Sequence, residues 1–389
     1  MKKVVLIIIS VLICGVKFTC FAQTHEGIEQ YVSFLKEKRT TAKDYVLSLL
    51  EKNDIVILCE RDHRELTQYN LILEIISDQY FINNVGIVFT EVGGRILNPE
   101  LNHFLGDGQL TENEVAAKAL NFQRNCMLSV WEKSNFSFFI KGIHNINKSL
   151  PANKKVEMYP TDVIYIEGEP TEEKVQDMIM NSMIYRDSLM AEFIIDKFNC
   201  MKNNNSGQKA LVIMNYRHAY KEKTSDGVDN TGMFLSRKYP GQVANVLINP
   251  YDIVRGKQGL QNSKWDAAFK TVEIENAGFD FSGSPFGNDH FDHYVNKTDK
   301  NYADMFDGFV FYQPIEKFQI AVGLTGFMDD GFFEEAVKEE AMYNKVMYGL
   351  RKMDAPPVDE ERFRYYNDMH ITPVENLDDI KASIDKWLK

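Results

Sequence analysis

Hydrophobic and polar residues along this chain come in blocks. Short unbroken apolar runs stand at Ile55-Val-Ile-Leu58, Val85-Gly-Ile-Val-Phe89 and Ala210-Leu-Val-Ile-Met214, as expected of strands buried on both faces. Further runs at 156–159, 243–248 and 308–312 read as strands too. Between them, apolar residues recur three and four positions apart at 66–76, 113–147, 171–200 and 230–239, the spacing of amphipathic helices. The 171–200 stretch opens with Thr171-Glu-Glu, a capping-type start. Asn203-Asn-Asn-Ser-Gly207 is a turn-forming link into the next strand.

Strands separated by helices predict an α/β fold with a mainly parallel central sheet flanked by helices. After Tyr251 the pattern loosens into a Gly-, Asp-, Asn- and Phe-rich stretch, with helices expected again at 333–350 and 378–388. The organisation expected is a leader at 1–22, an α/β core at 23–250 and an irregular α+β extension at 251–389 packed on that core. No internal repeat or low-complexity tract interrupts it.

The leader reading rests on Lys2 and Lys3, the apolar run Val4 to Val16, and the small residues before Gln23; together they predict export with cleavage after Ala22. The run is shorter than the roughly 20 apolar residues that span a bilayer, so no stable membrane span is expected after cleavage. Cys14 follows Ile13 and Cys20 follows Thr19, neither of them the small residue that a lipid-modified cysteine favours.

Composition narrows the function. The 389 residues are 44% hydrophobic and 26% charged, an ordinary globular balance. With 44 basic against 56 acidic residues the net charge is −12, and no broad basic surface is available for nucleic acid or anionic lipid. A small-molecule partner is expected; the oligomeric state is left open. Of the cysteines, Cys59, Cys126 and Cys200 remain after cleavage. Three cannot all pair internally, and their spacing matches no zinc motif, so packed thiols are expected.

Ligands of open α/β sheets bind beyond the carboxyl ends of the strands, which gives weight to the polar residues that follow each run. These are Cys59-Glu60-Arg61-Asp62-His63-Arg64-Glu65, then Glu91, then Tyr159-Pro-Thr-Asp162, then Asn215-Tyr-Arg-His218. If the strands are neighbours, these ends meet on one rim. An imidazole oriented by a carboxylate can take a proton from water while a cation stabilises the developing anion. His63 is the first choice of base, with Glu60 or Glu91 to orient it. The same groups could instead hold a divalent metal, and the spacing does not decide between the two. No Gly-rich phosphate loop, His-Glu-x-x-His helix or Gly-x-Ser-x-Gly elbow is present. Arg186 falls on an apolar-patterned helix between Ile184 and Leu189, so a carboxylate such as Asp162 or Glu91 is expected to pair with it.

Asp289-His-Phe-Asp-His293 gathers two imidazoles and two carboxylates. A polar loop is the plainer reading and metal ligation the sharper one. His25, His103, His144 and His370 have no helpful neighbours.

In order and spacing these motifs resemble the erythromycin esterase and ChaN-like superfamily. Ile57-Leu-Cys-Glu60-Arg-Asp-His63 is similar to its Gly-Glu-x-x-His segment, and Glu91 stands where its next strand ends in Glu. Tyr159-Pro-Thr-Asp162 resembles its Gly-x-Asp strand end, Tyr185-Arg-Asp-Ser-Leu-Met-Ala191 its Arg-Asp-x-x-Met-Ala helix, and Val212-Ile-Met-Asn-Tyr-Arg-His218 its His-Asn-x-His strand end. Thr231-Gly232 looks like the start of its glycine-led helix. The resemblance, over roughly 56–248, implies an esterase-like hydrolase in which His63 activates water with help from Glu60, Glu91, Arg186 and His218. Arg61, Asp162, Asn215 and Tyr216 are expected to bind substrate, and no cofactor is required. The alternative it implies is a non-catalytic protein that holds haem or a metal through His63, His218 or Tyr216. Cys59 and Arg64 stand where the family usually has glycine, and Asn215 stands where it has the first histidine.

Overall fold

The structure, a computed structural model, describes residues 27–38, 40–126, 135–223, 227–251, 259–292 and 298–389. The expected leader, Cys14, Cys20, His25 and His293 lie outside those residues.

The central sheet is built from β1 (Ile55–Glu60), β2 (Ile87–Gly94), β3 (Glu157–Asp162), β4 (Ala210–Asn215), β5 (Val243–Ile248), β6 (Asn276–Asp280) and β7 (Gly308–Tyr312). Its spatial order is β3-β2-β4-β1-β5-β7-β6, parallel throughout except for the antiparallel edge strand β6. A fold of helices around a mainly parallel sheet is thus what the apolar runs encode. Successive residues of a strand point to opposite faces: Ile55, Ile57 and Cys59 enter one core, Val56 and Leu58 the other. One face is covered by the helices Glu29–Glu37, Arg186–Asn204, Leu260–Thr271 and Leu377–Trp387. The other is covered by Ala42–Lys52, Thr67–Ile76, Asn98–Gly106, Glu112–Arg124 and Asn135–Lys148.

Several elements differ from the sequence expectation. The 113–147 stretch contains two helices, Glu112–Arg124 and Asn135–Lys148. The 171–200 stretch is likewise divided into Glu172–Asp177, a wide π-helical turn Met178–Met183, and Arg186–Asn204. Helices at Glu29–Glu37 and Ala42–Lys52, and strand β6, carry no clear signal of their own. In β6 the glycine Gly278 leaves room for the Tyr45 ring, so packing against a helix replaces the apolar run.

The sheet runs across residue 250, because β6 and β7 come from beyond it. A second antiparallel pair, β8 (Ile320–Val322) with β9 (His370–Thr372), lies in the C-terminal segment. This segment grips the loop after β1: Leu66 N–H donates to Gln319 O at 2.8 Å, and Ala321 N–H to Arg64 O at 2.8 Å.

Among the described residues no helix is long and apolar enough to cross a membrane. Cys59 and Cys126 are buried, as expected of packed thiols, whereas Cys200 is exposed; none is bridged.

Candidate functional site

Parallel strands in the order β3-β2-β4-β1 bring four carboxyl ends side by side, and Glu91 from β2 becomes the centre. The pairing of β2 with β3 is irregular between Thr90 and Gly94; such a bulge re-aims a side chain at a strand end. Gly93 makes it possible. Its φ is +96°, and a Cβ there would lie 2.8 Å from the Phe136 ring.

The Oε1 atom of Glu91 has three basic neighbours: Arg186 Nη1 at 3.0 Å, His218 Nε2 at 3.3 Å and His63 Nε2 at 3.6 Å. Its other oxygen, Oε2, accepts the main-chain N–H of Asn215 at 2.7 Å. Each base has a second carboxylate. His63 Nδ1 stands 2.9 Å from Glu60 Oε2, His218 Nδ1 stands 2.9 Å from Asp187 Oδ1, and Arg186 grips Asp162 through Nε and Nη2, both at 2.9 Å. Fork geometry of this kind orients a guanidinium as well as attracting it.

Beyond these contacts lies a supporting layer. Tyr69 donates its hydroxyl to Glu60 Oε1, and Asn135 donates to that hydroxyl at 2.7 Å. Thr231 gives Asp187 Oδ1 both its N–H and its hydroxyl at 2.8 Å. Gly232 lets that helix sit against the turn after His218, since a Cβ would meet the Ala219 carbonyl oxygen at 2.8 Å. Asp187 and Thr231 stand within the quoted sequence motifs but carry no site role in the sequence reading, which does not single out Tyr69 or Asn135. For Asp187 the signal was its place beside Arg186 at the start of a helix; for Tyr69 and Asn135 no local pattern announces a partner so distant in the chain.

Electrostatics follow from this crowding. Burial alone would push both imidazoles down, but Glu60 and Glu91 outweigh it at His63, and Glu91 with Asp187 at His218, so each rises to about 9. Arg186 Nη1, 3.1 Å from His218 Nε2, works the other way, favouring a neutral ring that accepts there. Burial would raise the Glu91 carboxyl; His218, His63 and Arg186 together hold it well below the usual carboxylate range. Asp187 is lowered in the same way, its burial outweighed by His218 and Thr231.

The expected site residues therefore divide. Glu60, His63, Glu91, Asp162, Arg186, Asn215 and His218 form one contiguous network. Arg61, expected to bind substrate, belongs to a different one. Its Nε donates to Asn249 O, Nη1 to Glu65 and Thr67, and Nη2 to Asn249 Oδ1 and Tyr312 O, while the plane stacks 3.7 Å from the Phe318 ring. All five N–H groups are spent within the protein, leaving none for a ligand. Tyr216 is buried in the core beside Tyr220.

Asp289 and Asp292 are structural as well. Asp289 accepts from Tyr31, Lys264 and Trp265, and Asp292 from Tyr302 and the Gln261 N–H. His144 caps the Asp107 carbonyl at 2.9 Å, and His370 stacks on Tyr365.

Glu60, His63 and Glu91 each offer one ligand atom within 4.8 Å of the others, a donor set that suits a small divalent cation. An ion there would have to compete with the proton whose binding to His63 the two carboxylates favour. Haem fits less well. Both ring nitrogens of His63 and of His218 face carboxylates, and Tyr216 is buried.

No protein-family model and no curated protein matches the chain. Solved structures do show similarity. A succinoglycan biosynthesis protein aligns at 10% identity and TM-score 0.48 over 74% of this chain and 96% of its own. A mutant erythromycin esterase in its open conformation aligns at 13% and 0.46, over 70% and 96%. ChaN of Campylobacter jejuni with cofacially bound haem aligns at 13% and 0.38, over 72% and 94%. The two groups that the sequence motifs resemble, erythromycin esterase and ChaN, are thus both found among the solved structures similar to this chain.

Proposed function

We propose that this chain is an exported hydrolase of the esterase-like type, with residues 1–22 as its leader and His63 as the base that activates water against an ester or related acyl bond. The observation that carries this reading is the convergence of His63, His218 and Arg186 on one oxygen of Glu91. In the active form His63 is neutral and takes a proton from water; the hydroxide adds to the acyl carbon. The developing oxyanion is stabilised by the charge of Arg186, while His218, held between Asp187 and Glu91, assists by fixing Glu91. The alcohol leaves with the proton that His63 returns. Glu60, fixed by Tyr69, holds the ring in one orientation.

A second reading, cation binding without turnover, has its own support in the Glu60–His63–Glu91 donor set. A panel of aryl and alkyl esters tested on wild type and His63→Ala separates the two. Hydrolysis that falls by about a hundredfold or more in the variant supports the first; equal rates remove His63 from the mechanism. Calorimetric titration with zinc that shows binding lost in His63→Ala, with no ester turned over by wild type, would favour the second.

A further inference from the structure

A cavity of about 440 Å³ is lined by residues that neighbour Glu91, Asp162 and Arg186 in sequence. Its wall is reached from three site elements. Arg95 follows the last residue of β2, four positions after Glu91, Val163 follows Asp162 directly, and Leu189 lies about one helical turn beyond Arg186. The lining is mixed: Tyr165, Ile166 and Met178 add apolar surface, while Glu167, Lys174, Asp177 and Ser182 are charged or polar. Ile96, Ile184 and Tyr185, neighbours in sequence of Arg95 and Arg186, are exposed large apolar side chains at 41%, 61% and 59%. A highly charged centre is thus bordered by apolar surface.

Arg95 differs from Lys174, the second cation of that wall. It is half-buried, and among the described residues no carboxylate, carbonyl or ring engages its guanidinium. The acidic groups nearby do not serve it. Glu167 is exposed, and Asp177 accepts from Asn181 at 2.6 Å. Lys174, the other cation of the lining, donates to the carbonyls of Glu167 and Glu169. A planar guanidinium left unengaged in a cavity wall is suited to a bidentate anion, and concavities that combine apolar surface with a few polar groups are the usual form of small-ligand sites.

We propose that this cavity binds the non-reacting part of the substrate, and that this part is an apolar body carrying one anionic group, with Arg95 as the residue that recognises the anion. The proposal rests on the hydrolase reading for its link to turnover, but not for the binding itself.

The test uses dye binding as well as catalysis. Anilinonaphthalene sulfonate has an apolar body with one anion, and phenylnaphthylamine is its uncharged counterpart. Fluorescence titration of the full chain is expected to show that Arg95→Met weakens the anionic dye about tenfold or more, the loss of one charged contact. The uncharged dye should change by less than about twofold. Ser182→Trp, which fills the cavity from its lining, should weaken both. If Arg95→Met binds the anionic dye as wild type does, or if Ser182→Trp leaves both dyes unaffected, the cavity is not the site and the proposal fails. With ester substrates, Arg95→Met should raise KM for an ester with a terminal carboxylate about tenfold more than for its uncharged homologue. Equal KM changes would overturn the assignment of Arg95. Dye results as expected without any ester turnover would uphold the cavity and sink the hydrolase reading; turnover with unchanged dye binding would do the reverse.

Discussion

His63 and His218 approach the same oxygen of Glu91, at 3.6 and 3.3 Å, from the ends of two strands that lie next to each other in the sheet. Each ring has its own second carboxylate on the far side. The two imidazoles are therefore coupled through one acceptor, and a change at either is felt by the other.

The first expected outcome concerns stability against pH. Both imidazoles titrate at about 9 when folded, against an ordinary value of 6.5. Their contribution is complete below about 6.5 and is lost as pH rises through about 9, on the order of 3 kcal/mol for each ring taken alone. Glu91 and Asp187 act on the opposite limb. Their depressed carboxyls contribute above the ordinary carboxylate range and lose that contribution in acid. Urea unfolding at a series of pH values should show a fall from pH 7 to pH 10. A curve that is flat across that interval would mean that the rings are neutral at pH 7.

On the proposed mechanism the same titration governs turnover. If His63 is the base, only its neutral form works, and ester hydrolysis should climb about tenfold per pH unit up to a limb near pH 9. A rate independent of pH between 6 and 9 is incompatible with this assignment. Buffers must be corrected for the uncatalysed alkaline reaction.

Glu91→Gln removes the shared anion and leaves Arg186 and both rings without it. A loss of about 3–5 kcal/mol is expected, the cost of breaking a buried charge network on one side. In the fraction that still folds, the His63 and His218 titrations observed by NMR should move down together. Movement of one ring alone would show that Glu91 is not the common partner.

Asp187→Asn is the selective counterpart. It deprives His218 of its Nδ1 partner and Thr231 of its charged acceptor. The His218 titration should fall, while that of His63 moves much less, and the alkaline limb of turnover should stay close to its wild-type position. A limb that follows His218 instead would transfer the role of base to that residue.

Arg61→Met separates architecture from chemistry. Glu65 would remain buried with its guanidinium gone, at a cost of about 3–5 kcal/mol in denaturant unfolding. Among molecules that remain folded, KM for any ester turned over should be unchanged. A rise in KM with normal stability would place Arg61 at the ligand after all.

Much of this site is legible in the residues. Apolar runs buried on both faces locate β1, β2 and β4, and the rule that ligands gather beyond parallel strand ends selects Glu60, His63, Glu91, Asp162 and His218 before any geometry is known. Arg186 stands out because a guanidinium on an apolar stripe needs an anion, and Asp162 and Glu91 both provide one. Arg61 shows where that logic stops. It occupies the same ionisable cluster as His63, yet the residue turns toward Asn249 and Tyr312, which come from strands whose neighbourhood depends on sheet order. Tyr69 and Asn135 were silent for a related reason: a hydroxyl and an amide are ordinary on helices, and only tertiary packing sets them on Glu60.

The segment that grips the loop after β1 has a consequence for dissection of this protein. A chain cut at residue 250 would keep every member of the charged network, yet it would lose β7 and expose the open edge of β5. It would also release the main-chain clasp at Arg64 and Leu66, one and three residues after His63. Such a fragment would be prone to self-association along its raw border, and whatever remained soluble would carry its imidazole on a slack tether. The charged network is held by the whole wrapped body, with its tail acting as the brace.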